Sequence, residues 1–117
     1  AEEHLVVLLN TRKDRQDRAV RLVDMISKIN FGRIALIGES LDLVVKMCLN
    51  KQISLDRILP IGLKSAQDQF RELIKKATPK TTILAIGNMG AGGAELAQYF
   101  EQQHQSQLSH STPLIYA

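Results

Sequence analysis

The fold of this chain is decided by the stretch "HLVVLLN", His4–Asn10, whose centre is an unbroken run of aliphatic residues. Such a run is typical of a strand that is buried on both faces of a sheet. From Asp14 onward the apolar residues recur at helical spacing, and Gly32 closes the segment as a C-terminal glycine would. The stripe predicted to be buried on this helix consists of Ala19, Leu22, Val23, Ile26 and Ile29.

The same plan of strand and helix repeats along the chain. "RIALIG", Arg33–Gly38, predicts a second strand, and Ser40 is positioned to cap the helix that follows. "RILPIG", Arg57–Gly62, predicts a weaker third strand at an edge or a strand end, because Pro60 cannot donate to a ladder. The stripe predicted for the second helix consists of Leu43, Val44, Met47 and Cys48.

A third helix, a fourth strand and a fourth helix complete the pattern. Ser65 is positioned to cap the third helix, and Pro79 to end it. "TTILAIG", Thr81–Gly87, predicts the fourth strand and runs into the glycine-rich segment "GNMGAGG". The stripe of the third helix is Ala66, Phe70, Leu73, Ile74 and Ala77, and the fourth helix carries Leu96, Phe100 and Gln107 on one side.

Strands that alternate with helices predict a parallel sheet with right-handed crossovers. The chain is too short for a barrel, so we expect a three-layer, Rossmann-like α/β domain with a doubly wound, mainly parallel sheet of four or more strands. The predicted strand order is 3-2-1-4, with the first strand in the interior. Residues 1–108 form this single domain, and residues 109–117 are either a tail or an edge strand, for which "PLIY" is the candidate.

Composition excludes several classes of protein. The net charge of +3 is mild and dispersed, and aromatic residues make up 4% of the chain with no Trp, so nucleic acid is not an expected partner. The single cysteine, Cys48, excludes an intramolecular disulfide and fits the cytoplasm; its place on an apolar stripe predicts a core residue. His4, His104 and His110 are too far apart to predict a metal site.

The first candidate site is "TRKDRQDR", Thr11–Arg18, which follows the first strand at the edge where α/β sheets bind ligands. At 100° per residue Arg15 falls on the azimuth of the buried stripe, while Arg12 lies in the loop and Arg18 on the flank. A guanidinium in that position needs an anion or a carbonyl partner. The alternative is a solvated helix start, in which Asp14 caps the helix and two i,i+4 pairs form, Asp14 with Arg18 and Asp17 with Arg21.

Two further features lie at the same predicted edge. The glycine-rich segment, with Asn88 and Gly90, would let a phosphate or carboxylate approach the backbone, or it is a tight turn for close helix packing. Glu39 is placed either as an acid in the crevice or as a complement to the helix dipole.

The order of "LLNTRKDRQDR", "ALIGES", "LKSAQD" and "AIGNMGAGGAELAQYF" resembles the C-terminal domain of the ligase subunit of bacterial poly-γ-glutamate synthase, in the Mur ligase superfamily. The pattern NxRxDRxxR is the most specific part of the resemblance. It is met here by Asn10, Arg12, Asp14, Arg15 and Arg18. The sequence departs from the peptidoglycan Mur ligases, with "ILPIGLKS" and "IGNMGAGG" where their Asp-Asn-Pro-Arg and Gly-Lys-Gly-His-Glu motifs are expected.

The resemblance implies an ATP-dependent amide ligase that adds glutamate to poly-γ-glutamate through an acyl phosphate. Because this chain contains no G-x-x-x-x-G-K-[ST], ATP and Mg are expected to be bound mainly by a preceding P-loop domain, with no cofactor held tightly here. Arg12, Arg15, Arg18 and Lys64 would neutralise nucleotide phosphates or hold the carboxylates of glutamate. The resemblance also allows membrane-bound synthase subunits as partners, and hence membrane association of a cytoplasmic protein.

A second reading stays open on the residues alone. A stand-alone Rossmann-like module that binds a nucleotide or regulates a partner would use the same crevice without catalysis. A P-loop upstream in the same reading frame would favour the ligase, and its absence would favour the module.

Overall fold

The computed structural model describes residues 4–75, 77–78, 80–87, 93–106 and 114–116, with side-chain surroundings described for all of these except residues 93, 103–106 and 114–116. The strands of this part are β1 (Leu5–Thr11), β2 (Arg33–Gly38), β3 (Ile58–Gly62), β4 (Thr82–Gly87) and β5 (Leu114–Tyr116). The α-helices are α1 (Gln16–Ser27), α2 (Leu41–Asn50), α3 (Ala66–Ile74) and α4 (Gly93–Ser106). Short 3-10 turns, Lys13–Arg15 and Leu55–Arg57, precede α1 and β3.

The sheet has the order β3-β2-β1-β4-β5, and each neighbouring pair is parallel. Leu8 of β1 is opposite both Ala35 of β2 and Ala85 of β4, so β1 lies in the interior of the sheet. The predicted fold class and the predicted order 3-2-1-4 are confirmed. At the far edge, β5 adds to β4 with Ile83 opposite Leu114.

The sheet is covered on both faces, which explains the unbroken aliphatic character of β1. Val7 and Leu9 pack in one core cluster with side chains of α1 and α2, whereas Leu8 packs in a second cluster with α3 and α4. The helices change face because the chain first moves outward from β1 to β3 and then returns to β4, and right-handed crossovers in opposite directions lie on opposite faces.

Several predictions about the first two helices need correction. Ala19, Val23 and Ile26 are buried as predicted, but α1 ends at Ser27, so Ile29 lies beyond it and is 39% exposed. Leu43 of α2 is 37% exposed, because the buried side of this short helix is formed by Val44 and Cys48. Gly32 does not close α1; its N–H donates to the Leu5 carbonyl at 2.8 Å and leads into β2.

The two serine caps have different outcomes. Ser65 caps α3 as predicted, because its Oγ accepts a hydrogen bond from the N–H of Asp68 at 3.1 Å. Ser40 precedes α2 but has left-handed backbone angles, with φ of 59°, and its side chain makes no capping hydrogen bond. Ser40 therefore occupies the position before α2 that was predicted, but the predicted capping by its side chain was wrong.

The third strand occupies an edge, as Pro60 predicted. Pro60 is opposite Leu36, and the register between β2 and β3 shifts immediately after this pair. The missing N–H of proline is tolerated there because no further strand pairs with β3 in the described sheet. Pro79 and Gln107 lie outside the described residues. The predicted stripe of the third helix was wrong at its end, because α3 stops at Ile74, which is 37% exposed, and Ala77 lies beyond the helix.

Cys48 lies in the core between α2 and the sheet and has no exposed surface. Burial raises the pKa of its thiol to about 11 from an ordinary value of 9.0.

We predict that Cys48 of the folded chain resists alkylation at pH 8 and reacts fully in denaturant, as mass spectrometry would show. Because the folded pKa is the higher one, the contribution of this protonated thiol to stability is complete below pH 9.0 and is lost as pH rises through about 11. Rapid alkylation at pH 8 of the folded chain would contradict the assignment.

No helix in the described part of the chain is long and apolar enough to cross a membrane.

Candidate functional site

The carboxyl ends of the first four strands meet at one edge of the sheet. Thr11 is opposite Gly38, Asn10 is opposite Gly87, and Ile37 is opposite Gly62. The three glycines have positive φ values of 95°, 78° and 111° for Gly38, Gly62 and Gly87, a conformation that side chains disfavour. The chain therefore changes direction at the ends of β2, β3 and β4, and the residues that follow these glycines lie at the carboxyl edge of the sheet.

The end of β1 is enclosed closely by its two neighbours. A Cβ atom on Gly38 would lie 2.3 Å from the Thr11 carbonyl oxygen, and one on Gly87 would lie 2.7 Å from that of Asn10. On Gly62, at the edge strand, the nearest atom would be Leu41 Cδ2 at 3.6 Å. Glycine is therefore required beside β1 for lack of space as well as for its backbone conformation.

A cleft opens at this point beside the start of α1, and we call it the arginine cleft. Its volume is about 10 Å³, which is room for about one water molecule. It is lined by Asn10, Thr11, Arg12, Arg15, Arg18, Ala19 and Leu22. The structure thus brings together Asn10 and the three arginines that the sequence selected.

The local geometry of these arginines differs from the prediction. Arg15 is exposed rather than buried over the sheet, although it lines the cleft with Ala19 and Leu22 of the predicted stripe. It precedes α1, which begins at Gln16 after a 3-10 turn, so α-helical spacing does not describe its position strictly.

The pairing of the acidic residues also differs in part. Asp14 does not cap α1, and its carboxylate binds Arg12 at 3.0 Å instead of Arg18. Asp14 lies in the 3-10 turn ahead of the helix, two residues after Arg12. The predicted pair of Asp17 with Arg21 is confirmed at 3.5 Å, with both side chains largely exposed.

The arginine cleft has an excess of positive charge. Asp14 balances Arg12, but neither Arg15 nor Arg18 forms an ion pair with any residue in the described part of the chain. Guanidinium groups in this state can form bidentate hydrogen bonds with a carboxylate or a phosphate. The arginines at the rim of the cleft are therefore suited to an anionic group, whereas the interior has room only for about one water molecule.

Glu39 lies beside the arginine cleft but its carboxylate is already engaged. One carboxylate oxygen accepts a hydrogen bond from the Lys13 N–H at 3.2 Å. The backbone of Glu39 is joined to Thr11, with the Glu39 N–H donating to the Thr11 carbonyl at 2.8 Å. The structure thus places Glu39 as a partner of the loop that carries Arg12.

The remaining predicted residues lie apart from the cleft or outside the described chain. Lys64 is exposed after β3 and is not among the residues that line the cleft. It lies near Glu72, whose pKa is lowered mainly by the hydrogen bond from Lys75 and to a smaller extent by the charge of Lys64. Asn88 and Gly90 fall outside the described residues.

Sequence reasoning missed two polar residues at this edge. Thr11 is the last residue of β1, is 6% exposed, and donates its hydroxyl to the Glu39 carbonyl at 2.7 Å. Gln69 of α3 is 1% exposed, and its amide donates to the Gly62 carbonyl at 3.2 Å. Gln69 falls at helical spacing from Ala66 and Leu73, and that spacing was the signal that could have revealed its burial.

Comparison with known families gives a match across this region. The model of the poly-gamma-glutamate synthase CapB C-terminal domain matches residues 1–103. The chain belongs to this family. PGA synthase CapB of Bacillus subtilis (strain 168) is 28% identical over 104 residues, which cover 88% of this chain and 26% of that protein. The chain therefore spans about a quarter of the length of this curated relative. No solved structure matches.

The family match includes the whole arginine cleft and the strand ends around it, and it confirms the resemblance seen in the sequence. Within the described part of this CapB C-terminal domain, no three His, Cys, Asp or Glu side chains are grouped as metal ligands would be. The charged side chains that line the arginine cleft of this domain are cationic.

Proposed function

We propose that this chain is the C-terminal domain of an ATP-dependent amide ligase that adds glutamate to poly-γ-glutamate. The observation that carries the proposal is the arginine cleft at the carboxyl edge of the sheet, in a chain of the CapB C-terminal domain family. In this proposal the cleft binds an anionic group of the reactants and brings it to a site completed by a preceding domain.

The chemistry of amide formation supplies the anions. An acyl phosphate carries a phosphate group, and both glutamate and its polymer carry carboxylates. The preceding P-loop domain would bind ATP and Mg²⁺ and supply the activation of a carboxylate. The residues of this chain would orient an anion and stabilise negative charge through Arg12, Arg15 and Arg18.

Two tasks fit the arginines, namely neutralising phosphate and holding the carboxylates of an incoming glutamate. The ion pair of Arg12 with Asp14 at 3.0 Å is partly exposed, which supports an exchange of Asp14 for a carboxylate or phosphate of the reactants. Lys64, Asn88 and Gly90 remain candidates for further contacts to the same reactants. The partners in this proposal are the P-loop domain, glutamate or its polymer, and membrane-bound synthase subunits.

The division of labour between domains gives the first test. We expect the full-length protein to incorporate labelled glutamate into a polymer only when ATP is present. The 117-residue chain by itself should hydrolyse no ATP and bind nucleotide weakly, because it carries one wall of an interdomain site. Glutamate incorporation is measured with radiolabelled glutamate, and ATP hydrolysis is measured by the release of phosphate. Hydrolysis by the chain alone, or a full-length protein without glutamate incorporation, would contradict the proposal and favour the stand-alone module.

A further inference from the structure

Three hydrogen bonds join the end of β1 and the turn after it to Glu39, the residue that follows β2. The Thr11 hydroxyl donates to the Glu39 carbonyl at 2.7 Å, and the Glu39 N–H donates to the Thr11 carbonyl at 2.8 Å. The Lys13 N–H donates to the Glu39 carboxylate at 3.2 Å. We call this set the Thr11–Glu39 clasp.

The clasp holds the backbone on both sides of Arg12. Thr11 precedes Arg12 and Lys13 follows it, and both are bound to Glu39. The next turn is closed by the Arg15 N–H, which donates to the Arg12 carbonyl at 3.1 Å. The backbone that presents Arg12 and Arg15 to the cleft is therefore tied to the end of β2.

We propose that Thr11 and Glu39 are positioning residues for the arginine cleft, acting through the backbone of residues 11–15. This inference rests on the proposed function, in which the cleft binds an anion. A loop already held in its binding geometry loses less conformational freedom when the anion arrives, and so it binds more tightly. The clasp also accounts for an acidic side chain beside a cationic cleft, because its carboxylate is used by a backbone N–H.

Charge and positioning predict opposite effects when Glu39 is replaced. The Glu39 carboxylate lowers the positive potential near the arginines. If charge were the only effect, removing this carboxylate would therefore strengthen anion binding. Loss of the clasp would weaken binding instead. A direct contact of Glu39 with an ammonium group of the ligand would make Glu39→Gln as harmful as Glu39→Ala.

The experiment titrates the 117-residue chain with inorganic phosphate and, separately, with glutamate, following backbone amide shifts by NMR. Glu39→Ala and Thr11→Val should each weaken binding about fivefold, which is the loss of one hydrogen bond. Glu39→Gln and Thr11→Ser keep an acceptor and a hydroxyl and should stay within about twofold of the parent chain. Asp17→Asn removes a negative charge from the same surface without touching the clasp, and it should leave binding unchanged or slightly stronger.

A second readout does not depend on any ligand. Hydrogen exchange at the Lys13 amide should be faster in Glu39→Ala than in the parent chain and close to the parent rate in Glu39→Gln. Unchanged or tighter anion binding by Glu39→Ala would overturn the inference, and so would equal losses in the Gln and Ala variants. If the parent chain binds neither anion, the proposed function fails, and Lys13 exchange still decides whether the clasp orders this loop.

Discussion

Gly38→Ala should destabilise the domain by about 3 kcal/mol or more, whereas Gly62→Ala should cost only about 1–2 kcal/mol. Both glycines end a strand with positive φ, so both variants carry the strain of a side chain in that conformation. Of these two positions, only Gly38 would bring the new Cβ against backbone, with the Thr11 carbonyl oxygen at 2.3 Å and the Thr11 nitrogen at 3.0 Å; the side-chain Oδ1 of Asn10 would also lie at 2.6 Å. At Gly62 the nearest atom is Leu41 Cδ2 at 3.6 Å, an ordinary contact.

Equilibrium unfolding in urea, with far-UV circular dichroism as the probe, measures both free energies. The difference between the two variants isolates the steric term, because the conformational term is shared. If both variants lose the same free energy of unfolding, the ends of β1 and β2 can move apart at little cost. The close approach of these strand ends would then not be a requirement of the fold. Because Glu39 follows Gly38, the Gly38 variant should also accelerate hydrogen exchange at Lys13.

Arg12→Ala and Arg15→Ala should each lower glutamate incorporation by the full-length protein about 10-fold to 100-fold, with little change in melting temperature. A charge-assisted hydrogen bond made only in the transition state is worth about 1.5–3 kcal/mol, or one to two decades in rate. Arg15 is exposed, and the Arg12 side chain is 37% exposed, so neither supplies much core area. The surface pair of Arg12 with Asp14 contributes about 0–1 kcal/mol to folding.

Arg21→Ala is the matched control for these variants. Arg21 lies on α1, just after the turn that carries Arg15, and makes an exposed ion pair with Asp17, but it does not line the arginine cleft. It should retain nearly full activity. Similar activity in all three variants would mean that the charged stretch is only the solvated start of a helix. If the melting temperature of Arg15→Ala falls enough to explain its loss of glutamate incorporation, Arg15 contributes to folding and not to anion binding.

Much of the fold could be predicted because its signals are local. Each signal lies within a few residues of sequence: the aliphatic run of β1 indicates burial on both faces, the spacing of apolar residues indicates strands and helices, and Pro60 indicates an edge strand. Parallel crossovers then leave few topologies to choose from. The errors were local too, since Ile29 and Leu43 were assigned from helical spacing near ends whose exact position the spacing does not specify, and Ser40 was assigned as a cap from its residue type alone.

The candidate site was predictable in membership but not in geometry. Asn10, Arg12, Arg15 and Arg18 were selected by their place after a buried strand, and the structure gathers them in one cleft. The exposure of Arg15 was not predicted, because a 3-10 turn precedes α1, and the pair of Arg12 with Asp14 was missed because it forms ahead of the helix, where helical spacing does not apply.

The sequence by itself determined the layers, the strand order and the cationic character of the carboxyl edge, because hydrophobic periodicity and charge are properties of neighbouring residues. Only the tertiary structure decided which polar atoms meet there. Thr11 and Glu39 are 28 residues apart, and their hydrogen bonds depend on the register that places Thr11 opposite Gly38. A hydrogen bond requires alignment within a few tenths of an ångström. That alignment is set by the packing of two whole strands and by the absence of a Cβ at Gly38.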